Sequence, residues 1–314
     1  MGNNKTLILC DFSNWLYYTI YGAVSEWRKK SDNAKLLDTP IAEVDQDNLP
    51  DLLVYDDFKR VLYNYVQRRF DTVMWIAKKN HQDEIDCSDR IDVIFTMDDY
   101  LSNNFRKQKC PWYKAQRSLL KRRYDITAIM NFIKNVMIDE LDVEDKLGYH
   151  FLKVEGCESD DIIATILKKY TDYECRILIS SDHDFLQIPN VNQYDMMGKR
   201  IERKIGDRML TEKEFLLWKV IRGDVSDNIA GVFKGVGEKK ALKLIDDREK
   251  LKSMLKESQD SMVQFMNNKF LIDFENIPED IRQKIYLKFE DCIMKSQIDN
   301  ENDMISLPDD LMSF

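Results

Sequence analysis

Four short apolar runs in this chain each lead into carboxylates. LILC at 7–10 runs into Asp11, and VIFTM at 93–97 runs into Asp98. FLKV at 151–154 leads past Gly156 to Glu158, Asp160 and Asp161. ILIS at 177–180 leads to Asp182 and Asp184. One aspartate after such a run is ordinarily a turn or helix-cap residue. Four runs in one chain, two of them followed by paired acids, point to a shared purpose. Gathered together, bare carboxylates raise one another's pKa and cost stability. Divalent cations offset that cost, because hard Mg²⁺ or Mn²⁺ takes oxygen ligands and completes its shell with water. Two such ions about 4 Å apart can activate a water and stabilise the leaving oxygen of a phosphodiester. The sequence has no GxSxG, HExxH or GxxxxGK[ST] to offer a rival chemistry.

Elements must bring these acids together. The four runs are rich in β-formers with little polar alternation, which predicts strands buried on both faces. Helical spacing is found between them, at 13–24, at 52–79 (Leu53, Phe58, Val61, Leu62, Tyr65, Val66), at 126–138 and at 158–170. Alternating strands and helices imply an α/β domain with a central, mostly parallel sheet. Such a sheet binds ligands along the edge where its strands end, so acids distant in sequence would converge. Glu158 and Asp161, three apart, would share a face in a helix's first turn, where the dipole favours anions. His183, set between two acids, reads as a spectator. Residues 191–196 and 199–204 suggest a strand pair turning at Gly198. From 211 to about 289 the chain reads as helical. Residues 26–50 read as a long polar loop or insertion.

Two further segments carry charge suited to phosphate. Between Asp99 and Asp125 there is no acid, while Arg106, Lys107, Lys109, Lys114, Arg117, Lys121, Arg122 and Arg123 are interleaved with Phe105, Trp112 and Tyr113. Basic charge beside aromatic platforms suits single-stranded nucleic acid, although a charge run is ordinarily a solvated face. Pro111 breaks any single helix there. The second segment is a predicted helix–turn–helix from Arg222 to Ala241. Its Gly235-Val-Gly237 loop can expose backbone N–H groups at a helix start, with Lys239 and Lys240 adding charge. Such contacts position a duplex without reading its sequence. Asp224 and Asp227 either cap a helix or reach a second metal.

Composition sets the limits. The net charge of −9 argues against general polyanion binding, so any nucleic-acid surface must be local. Six scattered cysteines without a CxxC pair indicate neither a zinc site nor a disulfide framework, and three histidines argue against a His-rich metal site. No apolar run approaches the roughly 20 residues of a membrane helix, and no signal peptide is evident, so a cytosolic protein is expected.

Taken together, LCDFS at 9–13, FTMD at 95–98, CESDDIIA at 157–164, ISSDHDF at 179–185, GDVSDN at 223–228, the glycine loop and NKFLIDFENIP at 268–278 resemble the flap endonuclease and 5′-to-3′ exonuclease family. The likeness covers nearly the whole chain and is greatest to the family's phage ribonuclease H branch. It implies a PIN-like nuclease domain at 1–205 with an arch at about 100–124, a helical duplex-binding region at 206–294 and a polar tail at 295–314. It implies removal of RNA primers and adjoining DNA from the 5′ ends of lagging-strand fragments, in the host cytoplasm if phage-encoded. Asp11, Asp98, Asp160 and Asp182 would surround a first Mg²⁺. Glu158, Asp161, Asp184, Asp224 and Asp227 would serve a second, some through water, and Mn²⁺ could substitute. WYKAQR at 112–117 matches the arch, so Lys114, Arg117 and Arg106 would act at the scissile phosphate, with Trp112, Tyr113, Lys121 and Arg122 along the strand.

The same resemblance allows a K⁺ ion at the glycine loop. It names an RNA–DNA hybrid or a duplex with a 5′ end or flap as substrate, bound by a monomer, with single-strand-binding protein and a sliding clamp as partners. Residues 307–314 read first as a frayed tail, with a clamp-docking peptide as the alternative. The insertion at 26–50 and the acidic stretch at 81–92 depart from the family pattern. Two rival readings are a PIN-type ribonuclease, disfavoured by the arch and the duplex-binding loop, and a catalytically inactive DNA-junction-binding accessory protein, disfavoured because every family acid is present.

Overall fold

The computed structural model describes residues 4–99 and 104–305, with side chains described as far as residue 294. Five parallel strands form the sheet: β1 (Lys5–Asp11), β2 (Arg90–Met97), β3 (Tyr149–Lys153), β4 (Cys175–Ile179) and β5 (Asn192–Tyr194), in the order β3-β2-β1-β4-β5. The register pairs Cys10 with Phe95 on one side and with Ile179 on the other. The ends of the three central strands therefore lie level with one another.

Both faces of the sheet are covered, as continuous apolar strands require. Ile8 and Cys10 of β1 point into one core, with α1 (Phe12–Arg28), α2 (Asp56–Asp86) and, after the short basic helix α3 (Phe105–Lys109), α4 (Ile126–Phe132). Leu7 and Leu9 point into the opposite core, with α7 (Ser159–Lys169) and the start of α12 (Glu279–Ile305). Beneath the C-terminal end of β1 lies an aromatic stack. The Trp15 and Phe70 rings are 4.6 Å apart, Phe95 and Phe151 are 5.3 Å apart, and Phe12 packs edge-on to Phe95. Such pairs add about 0.5–1.5 kcal/mol each beyond their buried area, so the floor under Asp11 is rigid.

Some elements differ from expectation. The 126–138 helix contains a π-turn at Ile133–Met137 before a short α5 (Ile138–Glu140), with α6 (Val143–Leu147) preceding β3. The expected pair at 191–204 forms in its inner part and turns at Gly198: Tyr194 bridges Arg200, the Asp195 N–H donates to the Lys199 carbonyl and the Ile201 N–H to the Gln193 carbonyl, both at 2.9 Å. β5 also joins the main sheet beside β4, which was not expected. A second hairpin lies further on, between β6 (Lys204–Ile205) and β7 (Arg208–Met209), turning at Gly206. The pairing of β5 is decided by Gln193, whose amide donates to the Ser180 and Asp182 carbonyls, a long-range demand invisible in local alternation.

The helical region comprises α8 (Glu212–Arg222), α9 (Glu238–Asp246), α10 (Arg248–Glu257) and α11 (Gln259–Ile272) around Phe215, Trp218, Ile221 and Leu244. The segment from 295 continues α12 to Ile305 rather than starting a tail, and residues 307–314 lie outside the described residues. Among the described residues no helix is long and apolar enough to cross a membrane.

Candidate metal centre and nucleic-acid interface

The sheet edge brings the strand-end acids together. Asp11 closes β1 and caps α1, accepting from the Asn14 N–H at 3.1 Å. Its other oxygen accepts from the Ser180 hydroxyl at 3.1 Å, and that hydroxyl accepts from the Asp182 N–H at 3.1 Å. Asp98 follows β2 and accepts from the Ser159 N–H at 2.8 Å and from the Ser13 hydroxyl. Serines thus link three strands and the start of α7.

The electrostatics fit a cation. Asp11 is 6 % exposed, and burial, then the Asp98 and Asp182 charges, push its carboxyl up to about 7. Burial and the Asp182 charge also push Asp160 well above the carboxylate range. Among the described residues Asp11, Asp160 and Asp182 form no ion pair within 4 Å. An all-oxygen donor set of crowded carboxylates, only partly offset by Lys114, is what a hard divalent ion relieves. No three His, Cys, Asp or Glu side chains among the described residues are near enough to hold an ion as they stand.

The second group of acids is held by the chain's own cations. Lys114 Nζ lies 3.0 Å from Glu158 and 3.9 Å from Asp227, and Arg117 lies 2.5 Å from Asp227. Burial would raise Glu158, but Lys114 and Arg106 hold it below its ordinary value. Lys219 of α8 is 5 % exposed and pairs with Asp184 and, at 2.9 Å, with Asp224. Against the effect of burial, Lys219 and Ser226 bring Asp224 down to about 2.

Two expected residues lie deeper than a substrate or metal contact needs. Asp161 is fully buried, closes a capping box with Glu158 and pairs with Arg106 at 2.6 Å. Arg106 is 2 % exposed and also donates to the Leu271 carbonyl at 3.0 Å. The pair braces α3 against α7 and α11 and does not face solvent.

The basic segment folds over the acids. After α3 it turns at Lys114, whose φ is +56°, and continues as a 3₁₀ turn at Ala115–Leu119. Gln116 donates to the carbonyls of Val225 and Ser226, which joins this segment to the loop after α8. Tyr113 is 4 % exposed, so its ring offers no stacking face; its hydroxyl donates to Glu158 at 3.1 Å. Trp112 packs partly buried beside it. Lys121 is exposed, and Arg122 is half-buried and donates to the Thr127 hydroxyl at 2.9 Å. The 26–50 insertion braces this end: Gln46 bonds the Arg122 backbone, and Arg123 donates to the carbonyls of Leu37 and Thr39.

On α9 the glycine loop is open. Gly235 has φ +68°, which favours glycine, while Gly237 caps the helix with no atom within 4 Å of where a Cβ would stand. Lys239 and Lys240 are exposed beside it.

The sequence model of the 5′-3′ exonuclease N-terminal, resolvase-like domain matches residues 64–215. Ribonuclease H of Enterobacteria phage T4 is 30% identical over 215 residues, 62% of this chain and 68% of that protein. The chain belongs to the 5′-3′ exonuclease and flap endonuclease family. A thermostable DNA polymerase I of Thermus thermophilus is 29% identical over 228 residues, and a 5′-3′ exonuclease of Mycoplasmopsis pulmonis is 26% identical over 205. These matches take in 69% and 63% of this chain but only 24% and 61% of those proteins. Zinc-bound T5 5′-exonuclease shares the fold, with a TM-score of 0.60 at 16% identity over 91% of this chain and 99% of that one. The bacteriophage T5 flap endonuclease, solved as a pseudo-enzyme–product complex with DNA and metal ions, gives 0.57 at 18% identity, over 93% and 99%.

Sequence reasoning missed several residues at this family member's strand edge. Lys219 reads as an ordinary charged position of an amphipathic helix, and only its burial against two acids marks it. Ser13, Ser159 and Ser180 stand within two residues of an expected acid, a signal that was available.

Proposed function

We propose that this chain is a divalent-metal-dependent 5′-to-3′ nuclease that acts on RNA–DNA hybrids and on duplexes with a 5′ end or flap, removing RNA primers and adjoining DNA. The observation that carries the reading is the set of strand-end acids. Asp11, Asp160 and Asp182 are crowded with no ion pair within 4 Å among the described residues, while Glu158, Asp184, Asp224 and Asp227 beside them are held by lysine and arginine. Asp11, Asp98, Asp160 and Asp182 would hold one ion, with Mg²⁺ the expected metal. Glu158, Asp184, Asp224 and Asp227 would hold a second, Asp161 acting through its hold on Arg106. When bound, the ions supply an activated water and neutralise charge on the phosphodiester.

The chain's own groups do the rest. Lys114 and Arg117 hand their charge from Glu158 and Asp227 to the incoming phosphate. Arg106 positions Glu158. Trp112, Lys121 and Arg122 guide the strand, and Gly235, Gly237, Lys239 and Lys240 hold the duplex backbone. Relatives named for ribonuclease H and 5′-3′ exonuclease activity support the substrate class. The test is cleavage of a 5′-labelled RNA–DNA hybrid and a 5′-flap duplex with Mg²⁺ and with EDTA. Short 5′ products that need Mg²⁺ are expected. Tight flap binding with no cleavage in Mg²⁺ or Mn²⁺ would overturn the proposal in favour of a binding protein.

A further inference from the structure

At the other end of the strands, where β4 begins, a half-enclosed cavity of about 420 Å³ lies between α7, the loop before β5 and the start of α12. Arg176, the second residue of β4, lines it and is 8 % exposed. Its Nη1 donates to the Leu167 carbonyl at 2.8 Å, which takes one of five N–H donors. Among the described residues no carboxylate neutralises it, and burial alone pulls its guanidinium below the ordinary value. The other cations of the cavity are matched: Lys168 lies 2.7 Å from Glu275, Lys169 lies 3.3 Å from Glu290 and Arg282 lies 3.8 Å from Glu279. Arg176 is the exception, and buried charge is ordinarily paired.

A second group points the same way. Thr165 of α7 also lines the cavity and is 3 % exposed, and its hydroxyl has no hydrogen-bond partner among the described residues. A helical threonine would normally satisfy that hydroxyl on the preceding turn. The guanidinium and the hydroxyl line the same cavity, one without a carboxylate partner and the other without a hydrogen-bond partner among the described residues. An oxyanion supplies what both lack, with charge-assisted bonds at low dielectric. The cavity is larger than a bare anion fills, and Ile188, Pro189 and Phe274 give it an apolar wall.

We propose that this cavity binds a nucleoside monophosphate, its phosphate on Arg176 and Thr165 and its nucleoside against the exposed Pro189. The site is separate from the carboxylate edge, since Asp182 follows the last residue of β4 and Arg176 stands near its first. The experiment is calorimetric titration of the full chain, in EDTA, with deoxyadenosine monophosphate and with inorganic phosphate. The nucleotide should bind saturably, with phosphate weaker by about 10-fold, a difference of 1.4 kcal/mol. Arg176→Gln should weaken the nucleotide by about 10-fold or more, and Thr165→Val by about 5-fold. Lys114→Ala, at the other end of the molecule, should bind it like the parent.

Failure of the parent chain to bind, or loss of binding in Lys114→Ala, would overturn the proposal. So would undiminished binding in Thr165→Val, which decides the matter if Arg176→Gln does not fold. Equal affinity for phosphate and nucleotide would remove the nucleoside from it.

Discussion

Asp11 shows how one residue carries both the cost and the use of the site. Burial, and then the charges of Asp98 and Asp182, push its carboxyl from the ordinary 3.8 up to about 7. A carboxyl with a raised folded-state pKa binds more protons folded than unfolded between those values. The metal-free protein therefore loses stability as pH rises from about 4 to 7, and above 7 the loss is complete. Asp11→Asn carries no charge and keeps an oxygen for the Asn14 N–H. In EDTA at pH 7 it should melt higher than the parent chain, and the gain should vanish at pH 4. In Mg²⁺ the order should reverse, because the parent gains a ligand that the variant holds less well, and the variant should not cleave. Scanning calorimetry in the two buffers checks this, and a variant that melts lower in EDTA at pH 7 would remove the electrostatic account of the cluster.

At the scale of elements, the parts that local sequence specifies were legible, and the parts set by tertiary contact were not. The four strands and their terminal acids could be read because apolar runs have one meaning when both faces are buried. The place of β5 in the main sheet could not, because it is set by Gln193 reaching back to Ser180 and Asp182. The burial of Tyr113 and the engagement of Lys219 were likewise hidden, since a charge or an aromatic in sequence does not say which way it faces. The loop after α8 carries two glycines with opposite expectations. Gly223 has φ +75°, and an added Cβ would stand 2.5 Å from the Ala230 backbone. Gly223→Ala should cost about 1–3 kcal/mol in urea unfolding. Gly237 has ordinary φ and empty space around it. Gly237→Ala should leave stability unchanged yet weaken duplex binding, because a methyl group would stand where a phosphate must approach the N–H groups. Equal binding by Gly237→Ala would separate this helix start from the duplex. If Lys114 acts as proposed, Lys114→Ala should slow cleavage by about 100-fold, since one electrostatic donor at the reacting phosphate would be removed. Single-turnover rates and duplex affinity measured together check this, and loss of duplex binding alone would place Lys114 elsewhere.

For the whole molecule, the question is how a chain with net charge −9 would engage the polyanion that the proposed function requires. Charge is segregated. Nine of the 56 acids lie in the strand-edge cluster, where bound cations would cancel them, while Lys239 and Lys240 stand exposed beside an open helix start. Such an arrangement allows few phosphate contacts, each made at a defined place, rather than a broad basic surface. The consequence is measurable in the salt dependence of binding. Each neutralised phosphate of duplex DNA contributes about −0.9 to the slope of log affinity against log salt. A shallow slope is expected of the parent chain, well short of a broad basic binder. Replacing both Lys239 and Lys240 with alanine should reduce the slope by about 2 and weaken binding similarly for every duplex sequence, since backbone contacts carry no sequence information. Fluorescence anisotropy with a flap duplex, across a salt series in Ca²⁺ to hold the acids neutral without turnover, makes the comparison. An unchanged slope in the double variant would show that the duplex crosses the molecule on another face. The glycine loop would then serve only to join α8 and α9.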